Sequence, residues 1–153
     1  ESTITLIYKV VGAGTEIMST KEPGETFDIL VGLGNGYNTD KSGENPLLIG
    51  GGVGVPPMYG LCKKLVAEGK KPTVILGFNT ADEIFYKDEF EALGAKVYVT
   101  TVDGSVGVKG FVTDVMKELT YSYFFTCGPM PMFKAIENTA TTFVSDHPHN
   151  SKW

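Results

Sequence analysis

The sequence predicts an α/β fold: a doubly wound, five-stranded parallel sheet preceded by a short β segment. Three observations predict it. From Pro46 onward, short continuous apolar runs alternate with amphipathic stretches of helical period. Such runs mark strands buried on both faces, and their alternation with helices marks parallel crossovers. Where the first apolar run meets the first helical stretch, "PLLIGGGVGVPPM" crowds four glycines ahead of two prolines. Residues 1–44 read differently, as alternating or loop-like β sequence too small to make a core alone.

In chain order, "STITLIYKVV" alternates Ile4, Leu6, Tyr8 and Val10 with polar neighbours, the period-2 pattern of a half-buried strand. A short helix is expected from Thr15, then a Pro23-Gly24 turn and a strand from Phe27 to Leu33. Asn35 to Asn45 is a polar loop. "PLLIG" is a buried strand, and "VPPMYGLCKKLVAEG" a helix with Met58, Leu61, Cys62, Leu65 and Val66 on one face, ending at Gly69. "PTVILGF" and "AKVYVTT" are strands separated by the helical "DEIFYKDEFEALG". "GFVTDVMKELT" is a helix and "YSYFFTCG" the last strand. "PMPMFKAIENTATTF" is a helix whose Pro129 suits a first turn. The expected organisation is a β segment at 1–44, an α/β domain at 45–145 and a frayed tail at 146–153.

The composition is globular: 42% hydrophobic and 20% charged over 153 residues. No apolar run approaches the ~20 residues of a membrane-spanning helix. The N-terminus has no basic stretch before an apolar one, so it is not read as a signal peptide. It has no initiator Met, which reads as a piece of something longer. Net charge is −5, and all thirteen basic residues are lysines. Without a clustered cationic footprint, a nucleic-acid partner is not expected. Without arginine, any phosphate must be held by backbone N–H groups, helix N-termini or lysine. Two cysteines, Cys62 and Cys127, form no CxxC pair. A reduced cytoplasmic protein with no metal ligands in this chain is the expectation.

Several positions carry candidate chemistry. Gly50, Gly51, Gly52, Val53 and Gly54 lie between strand and helix, where ligands of open α/β sheets bind and helix N-termini attract anions. The spacing is not GxGxxG, since residue 55 is Val. The expected visitor is a dinucleotide diphosphate, and the rival reading is a ligand-free tight turn. Cys127, Gly128 and Pro129 end the last strand at the same sheet edge, where a small polarizable side chain can pack against a flat ring. Asp103, Gly104 and Ser105 follow "AKVYVTT". A carboxylate there suits ribose hydroxyls and repels a 2′-phosphate, favouring NAD(H) over NADP(H); the rival reading is an ordinary Asp-Gly turn. Gly77 and Phe78 close the second strand, with Phe78 either flanking an adenine or plugging the core. In the β segment, Gly12 to Thr15 opens a short helix that could hold another phosphate. His147 and His149 read as tail residues rather than metal ligands.

Taken together, "LLIGGGVGVPPMYGLCKKL", "GFNTADEIFYKDEF", "TTVDGSVGVKGFVTDV" and "FFTCGPMPMFKAI" resemble the ferredoxin-reductase-like superfamily. Within it they resemble the electron-transfer subunits of NAD-dependent dihydroorotate dehydrogenase. The likeness runs to about Thr142. It implies an FAD-binding β-barrel, an NAD-binding α/β domain and a cysteine segment holding a [2Fe–2S] cluster. It implies that Gly50 to Gly54 meet the NAD diphosphate, and that Cys127, Gly128, Pro129 and Met130 border the nicotinamide. Asp103, Gly104 and Ser105, with Gly77 and Phe78, fall to the rest of the NAD site. Ile7, Tyr8, Lys9, Gly14 and Thr15 correspond to FAD contacts. The first half of the barrel, its arginine motif and the cluster cysteines are missing here. The flavin and cluster are therefore expected in a longer parent rather than in this chain, and the chain alone is expected to be inactive. The implied role is electron relay to NAD⁺ in pyrimidine biosynthesis, beside a dihydroorotate dehydrogenase catalytic subunit, two of each. A reductase for a monooxygenase, a hydrogenase or a ferredoxin-linked complex, and a non-enzymatic NAD-binding module, are the alternatives.

Overall fold

The computed structural model describes residues 3–146, so the expectations for His147, His149 and nearly all of the tail lie outside the described residues. Two compact units divide the chain, Glu1–Gly36 and Tyr37–Trp153.

Among the described residues of the first unit the one regular element is α1 (Ala13–Ser19). Thr15 Oγ1 accepts from the backbone N–H of Val11 and of Gly12, at 2.9 and 3.2 Å, and donates to the Gly12 carbonyl at 2.9 Å. The strands expected over residues 2–11 and 27–33 are not formed among the described residues. A strand exists only through its ladder, and no backbone hydrogen bond joins these two segments. Their apolar side chains, from Ile4 and Leu6 to Leu30 and Leu33, are exposed.

In the second unit the sheet contains β1 (Leu47–Gly51), β2 (Thr73–Phe78), β3 (Lys96–Thr101), β4 (Val108–Lys109) and β5 (Phe124–Cys127), ordered β4-β3-β2-β1-β5. Every neighbouring pair is parallel. The chain winds outward from β1 to β4, then crosses back to the other side of β1. That reversal puts the switch point between β1 and β5, where Gly50 is level with Cys127.

The helices cover both faces, as the continuous apolar strands require. On one face α2 (Val55–Ala67) buries Val55, Met58, Leu61, Cys62 and Leu65, and α3 (Lys87–Ala92) buries Phe90. Each large apolar side chain so buried is worth about 1.5–3 kcal/mol. On the other face α4 (Val112–Met116) and α5 (Met130–Asp146) pack Val112, Val115, Met116 and Ile136 against Leu47, Ile49 and Ile75.

Two helices are shorter than their sequence patterns. The helical pattern from Asp82 yields a 3₁₀ turn at Ala81–Glu83 and a helix only from Lys87, because Tyr86 is left-handed at φ 64°. Tyr86 and Phe85 turn instead into an aromatic cluster, with Tyr86 4.9 Å from Tyr59. The helix expected from Gly110 runs only from Val112 to Met116. The loop before β1 joins this unit: Thr39 Oγ1 donates to Glu68 at 3.0 Å and Ser122 Oγ donates to the Ser42 carbonyl. Among the described residues no helix is long and apolar enough to cross a membrane.

Candidate functional site

The carboxyl ends of β1, β2, β3 and β5 bring most of the predicted second-unit residues to one sheet edge. At the switch point, β1 passes through a 3₁₀ turn, Gly52–Gly54, into α2. The glycines there answer to different neighbours. A Cβ on Gly50 would come within 3.2 Å of the Val55 backbone, and one on Gly51 within 2.6 Å of Met132 Sδ. A Cβ on Gly54 would collide with the Cys127 carbonyl and lie 2.7 Å from the Gly128 nitrogen. The close visitor at these three positions is the protein itself. Gly52 is the exception: its φ is +52° and nothing lies within 4 Å of where its Cβ would stand. The loop is thus clamped on its inner side and open at Gly52.

The first turn of α2 holds Pro56 and Pro57, which carry no N–H. That turn therefore has fewer N–H donors than an ordinary helix N-terminus. The helix offers its dipole, and hydrogen-bond donation to an anion falls to the loop.

At the partner end of the switch point, Gly128 and Pro129 pack against Gly51 and Met132, and α5 begins at Met130. Cys127 is half-buried, while Val53 and Met130 are exposed. Behind Cys127, the Tyr37 hydroxyl donates to the Thr126 carbonyl at 3.4 Å. Burial, and then the neighbouring Cys127 thiol, push that hydroxyl up to about 12. Cys62 lies fully buried in the core, and burial pushes its thiol up to about 11. Cys127 is the more accessible thiol of the two.

At the β2 and β3 ends, Asp103 Oδ1 accepts from the Ser105 N–H at 2.9 Å and the Ser105 hydroxyl at 2.6 Å. These bonds hold the exposed carboxyl below its ordinary value. Ser105 Oγ also accepts from the Ala81 N–H at 2.9 Å. Glu83 accepts from the Asn79 N–H at 2.9 Å and from its side-chain amide. The edge is acidic, with Asp82, Glu83 and Asp103 exposed.

Two predicted residues, Gly77 and Phe78, have close neighbours within the protein. Gly77 makes room for α4, since a Cβ there would come within 2.6 Å of Val112 Cγ1. Phe78 is 5% exposed, in the core beside Phe85, so of its two readings the structure shows the plug. The sequence reading overlooked Phe111. It is 61% exposed between β4 and α4, next to Gly110, whose N–H bonds the Thr101 carbonyl at 3.0 Å. Its only signal was an aromatic placed ahead of a helix, and it was absorbed into the helical pattern.

In the first unit, Ile7 and Tyr8 are exposed, and Thr15 spends its hydroxyl on α1. Among the described residues no three His, Cys, Asp or Glu side chains group as metal ligands. Two cysteines do not fit a four-cysteine cluster.

A parallel sheet with a glycine loop at its switch point and an acidic edge at the next two strands defines a dinucleotide-binding α/β domain. Residues 48–138 match the oxidoreductase NAD-binding domain model, and the chain belongs to that family. It is 46% identical over 146 residues to the electron transfer subunit of dihydroorotate dehydrogenase B (NAD⁺) from Fusobacterium nucleatum, covering 90% of this chain and 56% of that protein. The corresponding subunit from a Geobacillus species is 50% identical over 137 residues, covering 87% and 53%. The chain thus spans about half the length of these relatives. Among solved structures, an NADH-dependent reduced ferredoxin-NADP oxidoreductase matches with TM-score 0.74 at 35% identity, covering 88% of this chain and 50% of that one. The cytochrome b5 reductase domain of Ulva prolifera nitrate reductase shares the fold, with TM-score 0.64 at 21% identity, covering 84% and 60%.

Proposed function

We propose that this chain is the NAD(H)-binding part of a dihydroorotate dehydrogenase electron-transfer subunit, which passes electrons from dihydroorotate to NAD⁺ in pyrimidine biosynthesis. The observation that carries the reading is the junction of the Gly50–Gly54 loop with the Cys127–Pro129 turn at the switch point. The similarity to two named electron transfer subunits supports the particular reaction.

In this reading the diphosphate lies over Gly52, held by loop N–H groups and the α2 dipole. The nicotinamide lies against Cys127, Gly128 and Pro129, with Val53 and Met130 excluding water. Asp103 accepts from a ribose hydroxyl, and the acidic edge disfavours a 2′-phosphate. The Phe111 ring offers the adenine a flat apolar face, in place of Phe78. Catalysis by this chain is positioning: it fixes the nicotinamide against its redox partner and needs no general acid or base. A bound flavin supplies the conversion between hydride and single electrons. FAD, with Ile7, Tyr8, Lys9, Gly14 and Thr15 among its contacts, and a [2Fe–2S] cluster belong to a longer cytoplasmic parent. Its partner is the dihydroorotate dehydrogenase catalytic subunit, two of each.

A second reading, an NADH reductase serving a ferredoxin-linked complex, is favoured by the 35% identity to the NADH-dependent reduced ferredoxin-NADP oxidoreductase. Reconstituting the full-length protein with a dihydroorotate dehydrogenase catalytic subunit separates the two. The proposal expects dihydroorotate to drive NADH formation, read at 340 nm. NADH formation from reduced ferredoxin, with none from dihydroorotate, would establish the second reading.

A further inference from the structure

We infer that Ser105 is a positioning residue, a clasp that holds the β2 and β3 loops together and so sets Asp103 for the adenosine half of the dinucleotide. The inference rests on the NAD(H) reading and changes the role of Ser105 within it, from a ligand contact to a support.

The hydroxyl of Ser105 has one hydrogen to donate and two lone pairs. Its hydrogen goes to Asp103 Oδ1 at 2.6 Å, and it accepts the Ala81 N–H at 2.9 Å. The donor that would reach a ribose is thus already committed inside the protein. The Ala81 bond spans 24 residues and crosses from the loop after β2 to the loop after β3. Two further bonds run beside it, Val102 N–H to the Phe78 carbonyl at 3.1 Å and Asp103 N–H to the Asn79 carbonyl at 3.2 Å. Those two are made by backbone groups, and any residue type supplies them. The Ser105 bond is the one in this join that depends on a side chain.

The two loops have separate internal supports. Asn79 is tied to Glu83 on one side. On the other, Thr101 Oγ1 donates to the Val106 carbonyl at 2.7 Å and accepts from the Val106 N–H at 3.1 Å. Losing the Ser105 hydroxyl therefore leaves each loop built and the two backbone bonds in place, and removes the one side-chain tie between them, beside Asp103. Asp103 Oδ1 then keeps the Ser105 N–H at 2.9 Å and loses its shorter donor, so the carboxylate is held less tightly. The consequence is confined to the adenosine end, because the Gly52 loop and the Cys127 turn lie across β1 and β5.

The test titrates the full chain and its Ser105→Ala and Ser105→Thr variants with NADH and ADP-ribose. Reduced nicotinamide mononucleotide, which lacks adenosine, is assayed by its protection of Cys127 from iodoacetamide. The expected result is about five- to tenfold weaker binding of NADH and of ADP-ribose by Ser105→Ala. Ser105→Thr is expected within about twofold of the parent, and the mononucleotide concentration that half-protects Cys127 is expected unchanged. Equal NADH affinity in Ser105→Ala and the parent would overturn the inference. A parallel loss of mononucleotide protection would also overturn it, by making Ser105 a general support of the fold. A parent chain that binds no NADH or ADP-ribose would sink the NAD(H) reading itself.

Discussion

At Gly52 and Gly54 one residue type answers to opposite constraints. Gly54 is needed because the end of β5 passes so close that no Cβ fits beside the Cys127 carbonyl. Gly52 is needed for its left-handed φ, with open space above it. Alanine at Gly54 must push two backbone segments apart, at a cost of about 3 kcal/mol, the upper end of ordinary overpacking. Alanine at Gly52 has only the left-handed conformation to bear, about 1 kcal/mol. Urea denaturation of Gly54→Ala and Gly52→Ala checks this order, and equal losses would contradict it. At this scale the sequence located the loop correctly but not the reason for it. Crowded glycines after a strand say that something comes close. Only the register of β1 with β5 identifies much of that something as the chain's own backbone. Phe78 and Phe111 show the same limit. Phe78 ends β2 and Phe111 follows β4, and a sequence pattern cannot say which ring is turned inward.

Among the elements, the contact of β2 with α4 is the one that sequence reading assigned to a ligand. Gly77 sits under Val112, so Gly77→Ala should drive α4 away from the sheet and destabilise the unit by about 1–3 kcal/mol. Val112→Ala in the same chain removes the clashing methyl groups and should recover part of that loss. Thermal or urea unfolding of the single and double variants measures the coupling. A double variant less stable than the sum of the two single changes would place the Gly77 constraint elsewhere. Continuously apolar elements were legible: β1, β2, β3 and α2 stand within about two residues of their patterns, and β5 fills the middle of its longer one. The misplaced boundaries have local causes. Tyr86 turns left-handed before α3. The fifth strand was expected in number but not located, because β4 has only two residues, too few for any periodicity. Residues 2–11 do alternate and 27–33 are apolar-rich, but a ladder needs a partner strand that neither segment finds in the other among the described residues.

For the whole molecule, a negative net charge, no arginine and an acidic edge point the same way: toward a dinucleotide without a 2′-phosphate. The chain spans about half the length of its relatives, and the activity proposed for it alone is the binding of that dinucleotide. The most direct measurement is isothermal titration of the chain with NADH and NADPH. Saturable 1:1 binding of NADH, with NADPH weaker by about tenfold (roughly 1.4 kcal/mol), is the predicted result. No heat with NADH, or NADPH binding as tightly as NADH, would contradict the account.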